Sequence, residues 1–415
     1  MGQLDCLYNQ MSQGRPFITD TLSACIAFLD VTNEIGSSYS LRQMATKTPE
    51  TTTSFEHLVR LLMGIADEAA KLIFDLRNGH LVEVHDKKPG DPVTVADFCS
   101  QYLIISNLRR VFPDIAILAE EDPAEVEEVG QKLQSVLADR LRVQPSDRPL
   151  TLPADLASID VSECVVIIDP IDGTKHFVLD DLPGSIILLG VAYRAQAVAG
   201  IMYQLGTGAM VYGVRGGEVH GLGAASTEYS VPVQSNTLPV GDLVKSEGTP
   251  IRQCFPGYTF KTPAEIKALD GVKMLATDIN WREPMDRMRA AVEPDFIVQT
   301  GGTGHKALLF LQGVVDVYAY PMPGPKFWDT CAPAAVASAA GRQLTDCRGR
   351  EFRYPTPTEL KANTEETAGL SGVEKDEYFR HRFGVMGSAV DGMAAMLGPI
   401  AADYGCPEHE MGWAH

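Results

Sequence analysis

The sequence predicts a mixed α/β protein, an α+β or α/β fold in which helices and strands are layered against each other. Three observations carry that expectation. Apolar residues recur at helical spacing from Phe55 onward. A continuous apolar run, Glu163 to Asp169, reads as a strand buried on both faces, and strand-like segments with Gly-rich turns follow it. After residue 272, strand and helix patterns alternate, a βαβα order. At 415 residues the chain has room for two or three domains or one large sandwich, at roughly 150 residues per domain.

In chain order, residues 1–54 are the least patterned. Thr19 to Val31 suits a short helix, and TKTPETTTS (46–54) reads as a polar linker. Phe55, Leu58, Leu62, Ile65, Ala69, Leu72 and Leu76 then line one helical face, and Asn78-Gly79 supplies the stop. A second helix runs from about Thr94 to Val111, with Val95, Phe98, Tyr102, Ile105 and Leu108 on one face and Pro113 beyond it. Ile115 to Ala119 is a short strand, residues 123–139 a helix, and a long Pro-rich loop leads to the strand ending at Asp169. Ser185 to Ala199 and Gly200 to Val219 read as strands of a β-meander, since the glycines at 206–223 do not form GxGxxG. Residues 224–265 are polar and loop-rich, a seam between subdomains. Strands are expected at Val272 to Thr277, Phe296 to Thr300 and Val314 to Tyr320. Helices are expected at Glu283 to Val292, His305 to Gln312 and Thr330 to Ala340.

Composition narrows the function. Hydrophobic residues are 45% of the chain, which excludes a disordered or collagen-like class. Asp plus Glu number 54 against 35 Lys plus Arg, a net charge of −19. That balance argues against polymeric nucleic acid and against anionic membranes as partners. The eight cysteines form no CxxC pair and no zinc spacing, so free buried thiols are expected. MGQLDCLYNQ lacks the features of a secretory signal, and the apolar run Leu22 to Val31 is too short to span a bilayer. A soluble cytoplasmic protein is the expectation.

Four acidic segments sit where folds tend to place sites. In Asp169-Pro170-Ile171-Asp172-Gly173-Thr174, Pro170 holds Asp169 extended at a strand end and Asp172 follows one turn later. Gly173 permits close backbone approach, and a helix beginning near Thr174 could hold a phosphate on its free N–H groups. A simple Asp-capped turn fits the same letters. Glu120-Glu121 follows a strand, where a solvated turn is the plainer account. Asp97 lies in the first turn of a helix, where the helix dipole favours an acid in any case. Asp329, in Phe327-Trp328-Asp329-Thr330, could be only an N-cap; Pro333 places the helix start near Asp329 or Thr330. Gly301-Gly302-Thr303-Gly304-His305-Lys306 is a glycine loop before a helix, suited to an anion or a sugar, or an ordinary turn. His176 and His305 lie near these loops, but all-oxygen donors suit a hard cation such as Mg²⁺ better than a histidine-bound metal.

At these residues the sequence resembles a known family. DPVTVAD (91–97), AEED (119–122), DPIDGT (169–174) and WDTCAPA (328–334) are similar, in the same order, to the Mg²⁺-dependent, lithium-sensitive phosphatases that include inositol monophosphatase. Within them the likeness is greatest to the animal-type 3′(2′),5′-bisphosphate nucleotidase branch, over about residues 55–392. The resemblance implies an αβαβα layered sandwich, with an N-terminal extension (1–54), an N-terminal subdomain carrying most metal ligands (55–225) and a C-terminal α/β subdomain (226–415). It implies hydrolysis of the 3′-phosphate of 3′-phosphoadenosine 5′-phosphate to AMP, with an inositol polyphosphate 1-phosphatase as the near alternative and a catalytically dead nucleotide-binding protein as the distant one. Two or three Mg²⁺ ions would be held by Glu120, Asp169, the Ile171 carbonyl, Asp172 and Asp329. Thr174, hydrogen-bonded to Asp97, would orient the attacking water. Gly173 and Thr174 would bind the phosphate, and Thr303, His305 and Lys306 the remainder of a small nucleotide or inositol phosphate. A monomer or homodimer is expected. Two departures stand out: Ala119 begins the segment usually written GEE, and DGTKHF replaces the usual DGTKGF or DGTKEY.

Overall fold

The structure is a computed structural model. It describes residues 54–405 apart from 80–83, 89–90, 224–226, 228, 236–257, 278–282 and 367–377. The expected helix at Thr19 to Val31 and most of the TKTPETTTS linker lie outside the described residues.

The chain opens with helix α1 (Phe55–Asn78), capped by Ser54, whose Oγ accepts the His57 N–H at 3.2 Å. A hairpin of β1 (Val84–Lys88) and β2 (Asp91–Thr94) leads into α2 (Val95–Val111), followed by β3 (Ala116–Ala119) and α3 (Pro123–Leu137). Next come β4 (Cys164–Asp172), the short helix α4 (Thr174–Val178), and the meander β5 (Ile186–Tyr193), β6 (Gln196–Gln204), β7 (Ala209–Val214) and β8 (Val219–His220). The second half holds β9 (Val231–Ser235), β10 (Thr259–Lys261), α5 (Pro263–Lys267), β11 (Met274–Thr277), α6 (Glu283–Val292), β12 (Phe296–Gln299), α7 (Thr303–Leu311) and β13 (Val317–Tyr320). It closes with α8 (Phe327–Ala339), β14 (Leu344–Thr345), α9 (Pro357–Glu366), β15 (Val385–Ser388) and α10 (Met393–Tyr404).

Two sheets result. The first has the order β3-β4-β5-β6-β7-β8, antiparallel except for β3 beside β4. The second has the order β10-β9-β12-β11-β13-β15-β14, with a parallel centre, β12-β11-β13, and antiparallel flanks. Apolar side chains of α1 and α2 cover one face of the first sheet. Its other face packs with α7 and α8 against the second sheet. Met285 and Met288 of α6 and Leu397 and Ile400 of α10 cover the far face of the second sheet, against Leu275, Val317 and Ala319. The layers therefore run α-β-α-β-α, as expected. Each such side chain, fully buried, contributes about 1.5–3 kcal/mol relative to exposure.

Several local expectations need correction. The meander turns at Arg194-Ala195, not near residue 199: both residues have positive φ (48° and 65°) and carry no glycine to announce the turn. Gly200 is instead mid-strand, because a Cβ there would fall 2.2 Å from the Ala332 carbonyl oxygen of α8. Residues 224–265 contain β9, β10 and the start of α5, so this stretch contributes an edge of the second sheet and is not only a seam. Helix α8 begins at Phe327, a turn before the predicted start, and Pro333 lies inside it. Burial between the two sheets outweighs the N–H that Pro333 withholds from the Asp329 carbonyl. On α2, Phe98, Tyr102 and Ile105 are only half-buried, while Ser100, Gln101 and Asn107 are buried.

Among the described residues, Cys99, Cys164, Cys331 and Cys347 are buried free thiols. No described helix is long and apolar enough to cross a membrane.

Candidate metal centre

Strand β4 runs through the whole Asp169 to Asp172 segment, whereas the sequence suggested a turn after Asp169. Residues three apart on a regular strand point to opposite faces. Here Asp169 pairs with Leu188 and Asp172 with Ile186, so β4 has one residue more than β5 between the two pairs. That bulge turns the two carboxylates to the same side, and Pro170, which lacks an N–H, is tolerated at it. Asp329, at the third position of α8, supplies a third carboxylate; one oxygen of each acid lies within 4.8 Å of the others. Its Oδ2 accepts the Lys326 N–H at 2.5 Å, so it caps its own helix while facing the other acids.

Asp169 and Asp172 are buried and Asp329 is partly buried, an arrangement that a proton or a cation relieves. Asp169 is 1% exposed and its Oδ1 has no hydrogen-bond partner among the protein atoms. Burial, then the charges of Glu120, Asp172 and Asp329, hold its carboxyl well above the usual range. Burial and the Asp329 charge push Asp172 up to about 7, against the pull of Lys306 and of two backbone N–H groups. Asp329 is pushed up to about 6 by burial, opposed by Lys326. An all-oxygen set with an orphaned buried oxygen fits a hard divalent ion.

The supporting shell comes from four other elements. Glu120 leaves the end of β3 beside Asp169, its N–H bonded to the Ile168 carbonyl at 3.1 Å. Gln101 of α2 brackets the next residue: its Nε2 donates to the Glu121 carbonyl and its Oε1 accepts the Glu121 N–H, both at 2.9 Å. Asp97 Oδ2 accepts from Thr94 N and Oγ1 at 2.8 and 2.6 Å, which leaves Oδ1 for Thr174 Oγ1 at 3.3 Å. Thr174 Oγ1 also reaches the Ile171 carbonyl at 2.9 Å. From the second sheet, the Thr303 and Gly304 N–H groups donate to Asp172 Oδ1 and Oδ2 at 3.0 and 2.7 Å.

A cleft of about 180 Å³ opens beside this cluster, lined by Asp172, Gly173, Thr303, Lys306, Tyr320 and Asp329 among others. Lys306 Nζ donates to the Thr300 carbonyl at 3.2 Å and lies 5.9 Å from the centre of the Tyr318 ring. His305, by contrast, is 1% exposed and is not part of the cleft's lining. On α7, residues 303 and 306 share a face and 305 lies away from it, so the His305 ring meets Thr300 Oγ1 at 3.1 Å and Tyr229 at 5.9 Å. Burial pushes its pKa down to about 3. Gln101 and His176 are supports that the sequence did not assign; Gln101 acts on a backbone twenty residues away, a relation no local pattern announces.

Gly173 carries a conformational demand. Its φ is +80°, and a Cβ there would lie 2.3 Å from the Gly184 carbonyl oxygen. Gly173→Ala is expected to lower unfolding free energy by about 2–4 kcal/mol, through left-handed strain plus a backbone clash. Denaturant titration of the two proteins checks this; a loss under about 1 kcal/mol would mean the turn has room to relax.

The profile of the inositol monophosphatase family matches residues 55–375. The chain belongs to the inositol monophosphatase family. Among this family's members, the chain is similar to the "3′(2′),5′-bisphosphate nucleotidase 1" of Dictyostelium discoideum, 27% identical over 313 residues, 75% of this chain and 92% of that protein. The protein of the same name from Homo sapiens is 29% identical over 311 residues, 73% of this chain and 87% of that one. Among solved structures, the extragenic suppressor protein suhB of Bartonella henselae superposes with a TM-score of 0.49 at 14% identity, over 83% of this chain and 98% of that one.

Proposed function

We propose that this member of the inositol monophosphatase family is a Mg²⁺-dependent phosphomonoesterase that removes the 3′-phosphate of 3′-phosphoadenosine 5′-phosphate, giving AMP and phosphate. The observation that carries the reading is the cluster of buried Asp169 and Asp172 with partly buried Asp329 and an unpartnered Asp169 oxygen, at the edge of a cleft holding a buried lysine. The names of the relatives support the choice of substrate.

Glu120, Asp169, the Ile171 carbonyl, Asp172 and Asp329 would hold two or three Mg²⁺ ions. Bound there, Mg²⁺ supplies the positive charge that a doubly charged phosphate needs and lowers the pKa of a coordinated water. The protein's own work is positional. Thr174 Oγ1 can accept a hydrogen bond from a water, with its own proton within reach of the Ile171 carbonyl at 2.9 Å and of Asp97 Oδ1 at 3.3 Å, the one oxygen of that carboxylate not held by Thr94. The Gly173 and Thr174 amides open α4 and have no acceptor within its first turn, so they are disposed toward phosphate oxygens. Lys306 balances the acids from the cleft wall, beside Tyr318 and Tyr320.

A phosphate-release panel tests the reading. Turnover is expected on 3′-phosphoadenosine 5′-phosphate, dependent on Mg²⁺ and lowered by lithium chloride. Turnover on inositol polyphosphates with none on the nucleotide would overturn the substrate, and no phosphate release from any member would overturn the activity.

A further inference from the structure

Behind the glycine loop, one side chain ties the two halves of the centre together. His176, in α4, is buried, with Nδ1 2.6 Å from Asp181 Oδ2. Its Nε2 accepts the Gly301 N–H at 2.7 Å, across 125 residues of sequence. Because Nε2 accepts, the ring proton resides on Nδ1 and is donated to Asp181. The ring fits only because two neighbours lack side chains: a Cβ on Gly184 would lie 2.5 Å from Nδ1, and one on Gly301 would lie 2.4 Å from Nε2. Two residues past Gly301, the loop delivers the Thr303 and Gly304 N–H groups to the two oxygens of Asp172.

We propose that His176 is a positioning residue for the cation: by gripping Gly301 from the first sheet's side, it holds the loop whose amides aim Asp172 into the centre. The inference rests on the reading of Asp172 as a Mg²⁺ ligand. It gives a role to the histidine of DGTKHF, which neither the metal set nor the cleft uses. A carboxylate can face a cation in several orientations; two amides on its two oxygens select one, and His176 fixes where those amides sit. Groups that hold metal ligands in this way typically change affinity about 10–100-fold when removed.

The experiment is calorimetric titration of Mg²⁺ into the full chain, comparing wild type with H176N and H176Q. In H176Q the side-chain amide oxygen reaches about as far as Nε2 and can still accept the Gly301 N–H; in H176N it reaches only as far as Nδ1. Expected is a Mg²⁺ Kd about tenfold or more weaker for H176N and within about threefold of wild type for H176Q. In H176N, kcat is expected to recover at saturating Mg²⁺, with the KM for nucleotide little changed. Equal Mg²⁺ affinity in wild type and H176N overturns the proposal, as does an equal loss in both variants, which would mean packing alone. If H176N does not fold, D181A is titrated instead: a weaker Kd supports the proposal and an unchanged one overturns it. Wild type that binds no Mg²⁺ would overturn the metal reading itself, a result distinct from wild type that binds while the variants bind equally well.

Discussion

Asp172→Ala is expected to reduce Mg²⁺-dependent phosphate release by about 10³-fold or more, equivalent to roughly 4 kcal/mol in the barrier. The magnitude follows from how many relations converge on this carboxylate. It ends β4 beyond the bulge, lies among Asp169 and Asp329, and receives both loop amides from the second sheet. Its loss would remove the proposed metal contact and leaves the Thr303 and Gly304 N–H groups without their acceptor. Initial rates over a Mg²⁺ titration measure the effect. Activity within about tenfold of wild type at high Mg²⁺ would place the reacting centre elsewhere.

The second large effect is a pH-dependent response to Mg²⁺. Asp172 at about 7 and Asp329 at about 6 both titrate above an unfolded aspartate, about 3.9. Between that value and about pH 7 the folded protein holds protons that the unfolded chain has released, so metal-free stability falls as pH rises through this window. Stability from the protonated acids is fully present below about pH 4 and is gone above about pH 7. Mg²⁺ competes with those protons for the same oxygens. At pH 7.5, Mg²⁺ at 100 times its Kd should add about 2.7 kcal/mol and, for a chain of this length, raise Tm by roughly 3–4 °C. At pH 5 the same Mg²⁺ concentration should raise it by much less. Thermal unfolding at both pH values, in chelator and in Mg²⁺, gives the comparison; an equal Mg²⁺ shift at both would contradict a centre built from raised carboxylates.

The layered fold was legible where burial imposes a period. Helix α1 carries its apolar stripe from Phe55 to Leu76, and the apolar stretch before Asp169 became a strand buried at every residue. The acids themselves were legible because each reads in the sequence as lying near an element's end, although Asp169 lies three residues inside β4. What escaped notice were relations made across the fold. Arg194-Ala195 turn a hairpin without glycine, while Gly200, which looked like a turn residue, makes room for Ala332. Gln101 and Asn107 are polar residues on α2, yet they are buried because each satisfies backbone groups far along the chain: Glu121 for one, Arg140 and Val143 for the other. His305 and Lys306 are adjacent letters in one loop motif, and only the helix rotation separates the buried ring from the lysine that reaches the cleft.

The bulged strand that carries Asp169 and Asp172 has a consequence for biosynthesis. Synthesis of the first sheet is complete at His220, more than a hundred residues before the ribosome adds Asp329. During that interval the nascent chain contains two of the three clustered acids but neither the third nor the loop amides that hold Asp172. The complete three-acid cluster therefore cannot template the first sheet as it emerges; it forms only when the second half docks. On the proposed reading, ion capture would mark the end of assembly, and a chain truncated before Asp329 would lack the complete centre however well its first sheet had folded.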